Sequence, residues 1–206
     1  MAWSTRETCP GPCPGCAPGD PGLMRLLVFL HGTVLMHAGA VGVTRAERVG
    51  HVRSGHPTVG DYAGYVPVGD AVAKLRRWQD AGARINYLSS HRNPDDVALD
   101  ALVLRTHGFP AGRVFARRPG ETYGDIAGRE APDVIIEDDC ESIGANQISY
   151  SQIPSAARAR IKSIIIPEFG GIDHLPDDPQ ALLRWLSPPA PTSPETARPR
   201  FEPQPH

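Results

Sequence analysis

Four polar segments carry residue types suited to handling an oxyanion and a cation: His31-Gly32-Thr33, Ser89-Ser90-His91, Arg117-Arg118 and Glu137-Asp138-Asp139. The amides of Gly32-Thr33 can cradle an anion in a turn, and an ordinary turn is their plain reading. A hydroxyl at Ser89 can donate to an oxyanion, and a guanidinium at Arg118 (or Arg117) can neutralise it. The carboxylates at 137–139 repel one another unless a metal ion or a basic side chain such as Arg118 compensates them; solvated loop residues are the alternative. An imidazole can both take up and give a proton, so His31 suits a general acid/base, a phosphohistidine nucleophile or simply a turn.

Each segment follows an apolar run that reads as a strand. Arg25–Leu30, Arg84–Leu88, Arg113–Ala116 and Asp133–Ile136 precede the four segments, and Lys162–Ile166 is a fifth strand. Continuous apolar strands are those covered on both faces. A capping box of Thr44 and Glu47 predicts a short helix over Thr44–Arg53, inside an otherwise irregular stretch from His37 to Val68. Asp70–Ala81 is amphipathic, with Val72, Leu75 and Trp78 on one face and Gly82 ending it. Asn93 caps the next helix, Pro94 opens it and two acids fill its first turn; it runs through Val97, Leu99, Leu102 and Leu104 to Gly108. Helices are also expected over Tyr123–Arg129 and Pro179–Leu186. Strands alternating with helices predict an α/β, doubly wound (Rossmann-like) parallel sheet of five strands. Such sheets bind ligands where loops leave the carboxyl ends of the strands, which is where the four segments fall.

Of the 22 prolines, five lie in residues 1–23 and seven follow residue 186, so both ends read as disordered tails around one domain over 24–186. Met24 opens the first strand directly, which makes it a candidate translation start. Cys9, Cys13 and Cys16 have the C-x3-C-x2-C spacing of an iron–sulfur motif, yet they sit in the proline-rich tail with no strand before them, so no cluster is expected. Cys140 reads as a small buried or half-buried residue. The net charge of -2 is spread without a basic stripe, which argues against nucleic acid and anionic membranes as partners. No apolar run is long enough to span a bilayer and no secretory leader is visible, so the expected compartment is the cytoplasm.

In order and type these motifs resemble the haloacid dehalogenase superfamily, most of whose members are magnesium-dependent phosphohydrolases. Phe29-Leu30-His31-Gly32-Thr33 stands where that family has Asp-x-Asp-Gly-Thr. The resemblance implies that Ser89 contacts a phosphate oxygen, that Arg118 neutralises phosphate, and that Asp138, with Asp139, binds magnesium. The phrase from Ile85 to Pro110 has the family's look. Neither the stretch after the first motif nor the one after the second holds a full cap domain, so the resemblance implies a capless site open to solvent.

One departure outweighs these matches. The family's first aspartate attacks phosphorus and binds the metal; a phenylalanine at 29 can do neither and reads as core. The resulting expectation is a domain that binds a phosphorylated small molecule or phosphoprotein without phosphoaspartate chemistry. One rival is an active phosphohydrolase using His31 or water on a metal at Asp138/Asp139. The other is an interaction scaffold without a ligand. A Ser/His/Asp hydrolase using Ser89 or Ser90 is remote, because the Gly-x-Ser-x-Gly elbow is missing. His91, Asp95 and Asp96 are assigned to the helix start, and His174 only to a loop.

Overall fold

A computed structural model of the chain describes residues 23–144 and 148–186. The tails, with the three clustered cysteines, lie outside the described residues. The apolar run of the first motif forms β1 (Arg25–Phe29), the centre of a five-stranded sheet in which all strand pairs are parallel. With β4 (Arg84–Leu88), β5 (Val114–Phe115), β6 (Val134–Asp138) and β7 (Lys162–Ile166), the order is β5-β4-β1-β6-β7. The chain leaves β1 to build one half of the sheet, then returns to pair β6 on its other side. That reversal opens a crevice at the carboxyl ends of β1 and β6.

Alternation along β1 sorts its side chains to the two faces. Leu26, Val28 and Leu30 join a core with Leu75 and Trp78 of α2 (Ala71–Asp80) and Val103 and Leu104 of α3 (Pro94–Thr106). Leu27 and Phe29 face the other way, onto Tyr123, Ile126 and Ala127 of α4 (Tyr123–Glu130). Trp78 is fully buried, and its indole N–H donates to the Pro176 carbonyl at 2.8 Å, so a large ring enters the core with its polar atom satisfied.

Local signals hold where they were strongest. Thr44 and Glu47 form the capping box of α1 (Arg45–Ser54), and the Asn93 side chain accepts from the Asp95 amide at the start of α3. Corrections arise where tertiary contacts decide. The buried stripe of α3 is Asp100, Val103 and Leu104; Leu102 is exposed, and Val97 and Leu99 are only half-buried. The strand β6 runs two residues past Ile136, because pairing with β7 continues through Glu137 and Asp138. The final helix is a six-residue 3-10 turn over Pro179–Arg184. The irregular stretch is closed by a two-stranded pair, β2 (Leu35–Met36) just before it and β3 (Val66–Pro67) near its end, antiparallel and each too short to show a period in sequence. Between them the chain folds over the strand ends, so the expected open site is walled on one side. Among the described residues, no helix is long and apolar enough to cross a membrane.

Candidate functional site

At the end of β1 the chain turns sharply through Gly32, whose φ is +83°. A Cβ there would lie 2.7 Å from Asp138 Oδ2, so close approach as well as conformation requires glycine. The turn brings the Thr33 hydroxyl to donate to Asp138 Oδ2 at 2.9 Å, while the Gly32 amide donates to the Leu35 carbonyl. Both residues assigned to anion binding thus serve the turn and Asp138.

The same turn presents His31 to α3. His31 Nε2 lies 3.0 Å from Asp100 Oδ1, and Nδ1 lies 2.7 Å from Ser90 Oγ. A carboxylate can only accept, so Nε2 carries a proton, and in the neutral ring Nδ1 offers its lone pair to the Ser90 hydroxyl. Asp100 also accepts from Ser89 Oγ at 2.5 Å and from His91 Nδ1 at 3.2 Å. It is 2 % exposed. Burial alone would raise its pKa; the hydrogen bonds from His31, His91 and Ser89, with the His31 charge, outweigh burial and hold the carboxyl well below the usual carboxylate range.

This is a Ser–His–Asp relay assembled without the elbow motif. Ser90 and His31 line a cavity of about 330 Å³ whose other walls include Phe29, Tyr123, Arg117 and Asp138. The segment between β2 and β3 closes one side with Tyr62 and Tyr65. Ser89, by contrast, is fully buried, its hydroxyl committed to Asp100 and to the His91 amide. His91, assigned to the helix start, instead bonds to Asp100 and packs against Tyr62, ring centroids 4.1 Å apart and planes tilted by 46°.

The two arginines separate equally clearly. Arg117 reaches the cavity, its guanidinium 3.8 Å above the Tyr123 ring. Its Nε is buried without a hydrogen-bond partner, and among the described residues it has no ion pair. Arg118 is exposed and offers only its backbone amide, to Glu121, so the basic residue at the cavity is Arg117. His174 is exposed, with its ring 6.2 Å from Trp185.

The acidic triplet has three fates. Glu137 is buried and structural: its oxygens accept from the amides of Ser149 and Tyr150 at 2.6 and 3.0 Å. Asp138 faces the cavity, where burial pushes its pKa up to about 7 against the bonds from the Cys140 amide and Thr33. Asp139 accepts from the amides of Glu141 and Glu168. Glu168, at the cavity after β7, drew no attention in sequence. One oxygen each from Asp138, Asp139 and Glu168 lies within 4.8 Å of the others, a hard-oxygen set that suits a magnesium-type ion. Phe29, lining the same cavity and packed edge-on against Tyr123, supplies no ligand.

Sequence reasoning missed Asp100 and Glu168, and named Ser90 only for a remote hydrolase and Arg117 only as the alternative to Arg118. A signal existed for Asp100 alone: an aspartate three and four residues before Val103 and Leu104 sits on the buried stripe of its helix.

No protein-family profile matches the chain, and no curated protein matches it. Among solved structures it resembles a chain of the Pnkp1/Rnl/Hen1 complex, with 11% identity over 73% of this chain and 48% of that one and a TM-score of 0.47. This chain thus spans about half the length of that one. It also resembles a class C acid phosphatase from Bacillus anthracis with tungstate bound, with 18% identity over 74% of this chain and 70% of that one and a TM-score of 0.46.

Proposed function

We propose that the domain binds a small molecule bearing a phosphate or similar oxyanion on an aromatic or apolar body, without forming a phosphoaspartate. The observation that carries this reading is Arg117: a half-buried guanidinium at the cavity, its Cζ 3.8 Å from the Tyr123 ring centroid, with an unsatisfied Nε and, among the described residues, no carboxylate partner. A cation left so is costly unless an anion completes it. The aromatic and aliphatic walls suit an apolar body, and the enclosure favours a small molecule over a protein surface. Phe29 removes the nucleophile of the family that the motifs resemble. A magnesium ion held by Asp138, Asp139 and Glu168 would offset the repulsion between those carboxylates and a phosphate.

Isothermal titration of the protein with phenyl phosphate, with and without magnesium, tests the reading. Arg117→Met weakens binding by about tenfold or more, the worth of one charge-assisted hydrogen bond, whereas Arg118→Met leaves it unchanged. Equal effects of the two substitutions, or no binding at all, would overturn it.

The Ser90–His31–Asp100 relay favours a second reading, an ester hydrolase. Ser90 Oγ would attack the ester carbonyl as its proton passes to His31 Nδ1, with Asp100 holding Nε2–H; His31 would return that proton to the departing alcohol as the ester C–O bond breaks, and water would then release the acid from Ser90. Under this reading a fluorophosphonate labels Ser90, and Ser90→Ala lowers hydrolysis of p-nitrophenyl esters by roughly a thousandfold or more. Peptide mass spectrometry that finds Ser90 unlabelled, together with turnover that survives Ser90→Ala, removes it.

A further inference from the structure

Three histidines converge in the segment between β2 and β3, apart from the relay. His37 follows β2, His51 lies in the last turn of α1, and His56 follows Gly55, whose left-handed backbone (φ +66°) turns the chain back. The turn stacks His56 on His51, ring centroids 4.4 Å apart and planes 19° from parallel. One ring nitrogen of each histidine lies within 4.8 Å of the others.

His37 is 1 % exposed, and its Nε2 has no hydrogen-bond partner; His51 Nδ1 is likewise buried and unpartnered. The Thr58 hydroxyl bonds to Nδ1 of both His37 and His56, at 2.7 and 2.9 Å, and accepts the Gly39 amide. His56 Nδ1 also accepts the Thr58 amide at 3.3 Å, so the one Thr58 hydroxyl proton goes to His56, and Thr58 Oγ1 accepts from His37 Nδ1–H; that leaves His37 Nε2 with a free lone pair, whereas His56 must move its ring proton to Nδ1 and give up Thr58 to offer one. The Gly39 backbone packs so tightly here that a Cβ would lie 2.6 Å from Thr58 Oγ1.

We propose that His37, His51 and His56 bind one zinc-class divalent transition-metal ion, which cross-links the segment between β2 and β3 within itself, tying the residue after β2 to the end of α1 and the turn that follows it. Three imidazoles make a borderline nitrogen donor set, which suits zinc, cobalt, nickel or copper far better than magnesium. Tetrahedral zinc with nitrogens at about 2.1 Å brings those nitrogens about 3.4 Å apart. The half-buried rings of His51 and His56 can close that distance by rotation, while Thr58 holds His37.

The test uses the full, untagged chain, stripped of metal with a chelator and titrated with zinc against a chromophoric competitor. One zinc binds per chain, and the melting temperature rises with zinc. His37→Ala and His51→Ala weaken binding at least a hundredfold, and Thr58→Val weakens it ten- to a hundredfold. If His37→Ala fails to fold, His51→Ala and His56→Ala, at half-buried positions, carry the test. Cobalt gives a four-coordinate nitrogen spectrum without thiolate charge-transfer bands. Unchanged zinc affinity in the histidine variants overturns the proposal. So does loss of the ion in Asp138→Asn or His31→Gln instead, or a thiolate band from Cys9, Cys13 and Cys16.

Discussion

Asp100→Ala lowers the stability of the domain by about 3–5 kcal/mol, measured by urea unfolding at pH 7. The substitution removes one buried carboxylate but strands three partners, the Ser89 hydroxyl and the rings of His31 and His91. Each has exchanged water for this single acceptor, so losing it costs more than an average hydrogen bond. Asp100→Asn keeps the volume and part of the bonding, and loses less. The relay does not survive in either variant, because without a carboxylate nothing holds the His31 proton on Nε2.

Acid unfolding should carry the same signature. The folded Asp100 titrates below its unfolded value of about 4, so its stabilisation is complete above that pH. It is lost as the pH falls from about 4 toward the folded pKa. Wild type therefore loses stability more steeply below pH 4 than Asp100→Asn does. Parallel acid limbs in the two proteins would show that Asp100 is not the charged hub of the network.

Phe29→Asp, which restores the carboxylate of the resembled motif, costs about 3 kcal/mol or more in the absence of metal. It deletes a ring that is 8 % exposed and packed against Tyr123, and truncations of buried phenylalanine cost about 3–5 kcal/mol. It also adds a carboxylate to a cavity already lined by Asp138 and Glu168. Magnesium recovers part of that loss by bridging the acids, so the melting temperature of Phe29→Asp rises with magnesium more than that of wild type. Identical magnesium responses would mean that position 29 does not face the acidic cluster. The gap between variant and wild type is read by thermal unfolding at pH 8, with and without the ion.

The elements of this domain are legible because their causes are local. The apolar runs of β1, β4, β6 and β7 need two covered faces whatever lies around them. The caps at Thr44/Glu47 and Asn93/Pro94 satisfy amides within three residues. Phe29 excludes a phosphoaspartate by its chemistry alone. The breaks in that legibility are short pieces: β2 and β3 pair over two residues each, and the final helix tightened into a 3-10 turn.

The site is another matter, because it turns on choices between neighbours. Ser89 or Ser90, Arg117 or Arg118, and Asp138 or Glu137 are alike in type and differ only in which way the backbone points them. Consecutive residues at a strand end face opposite sides, so the outcome depends on what each side holds. Ser89 turned in to Asp100 and Ser90 out to the cavity; Arg117 lies on Tyr123 and Arg118 in solvent. His31 meets an aspartate 69 residues away, and His37 a threonine 21 residues away. Sequence alone therefore determined the doubly wound sheet, through local propensity and burial, and the phenylalanine that ends its central strand. Tertiary structure alone decided which hydroxyl, guanidinium and carboxylate converge, since only long-range packing sets the side to which each residue turns.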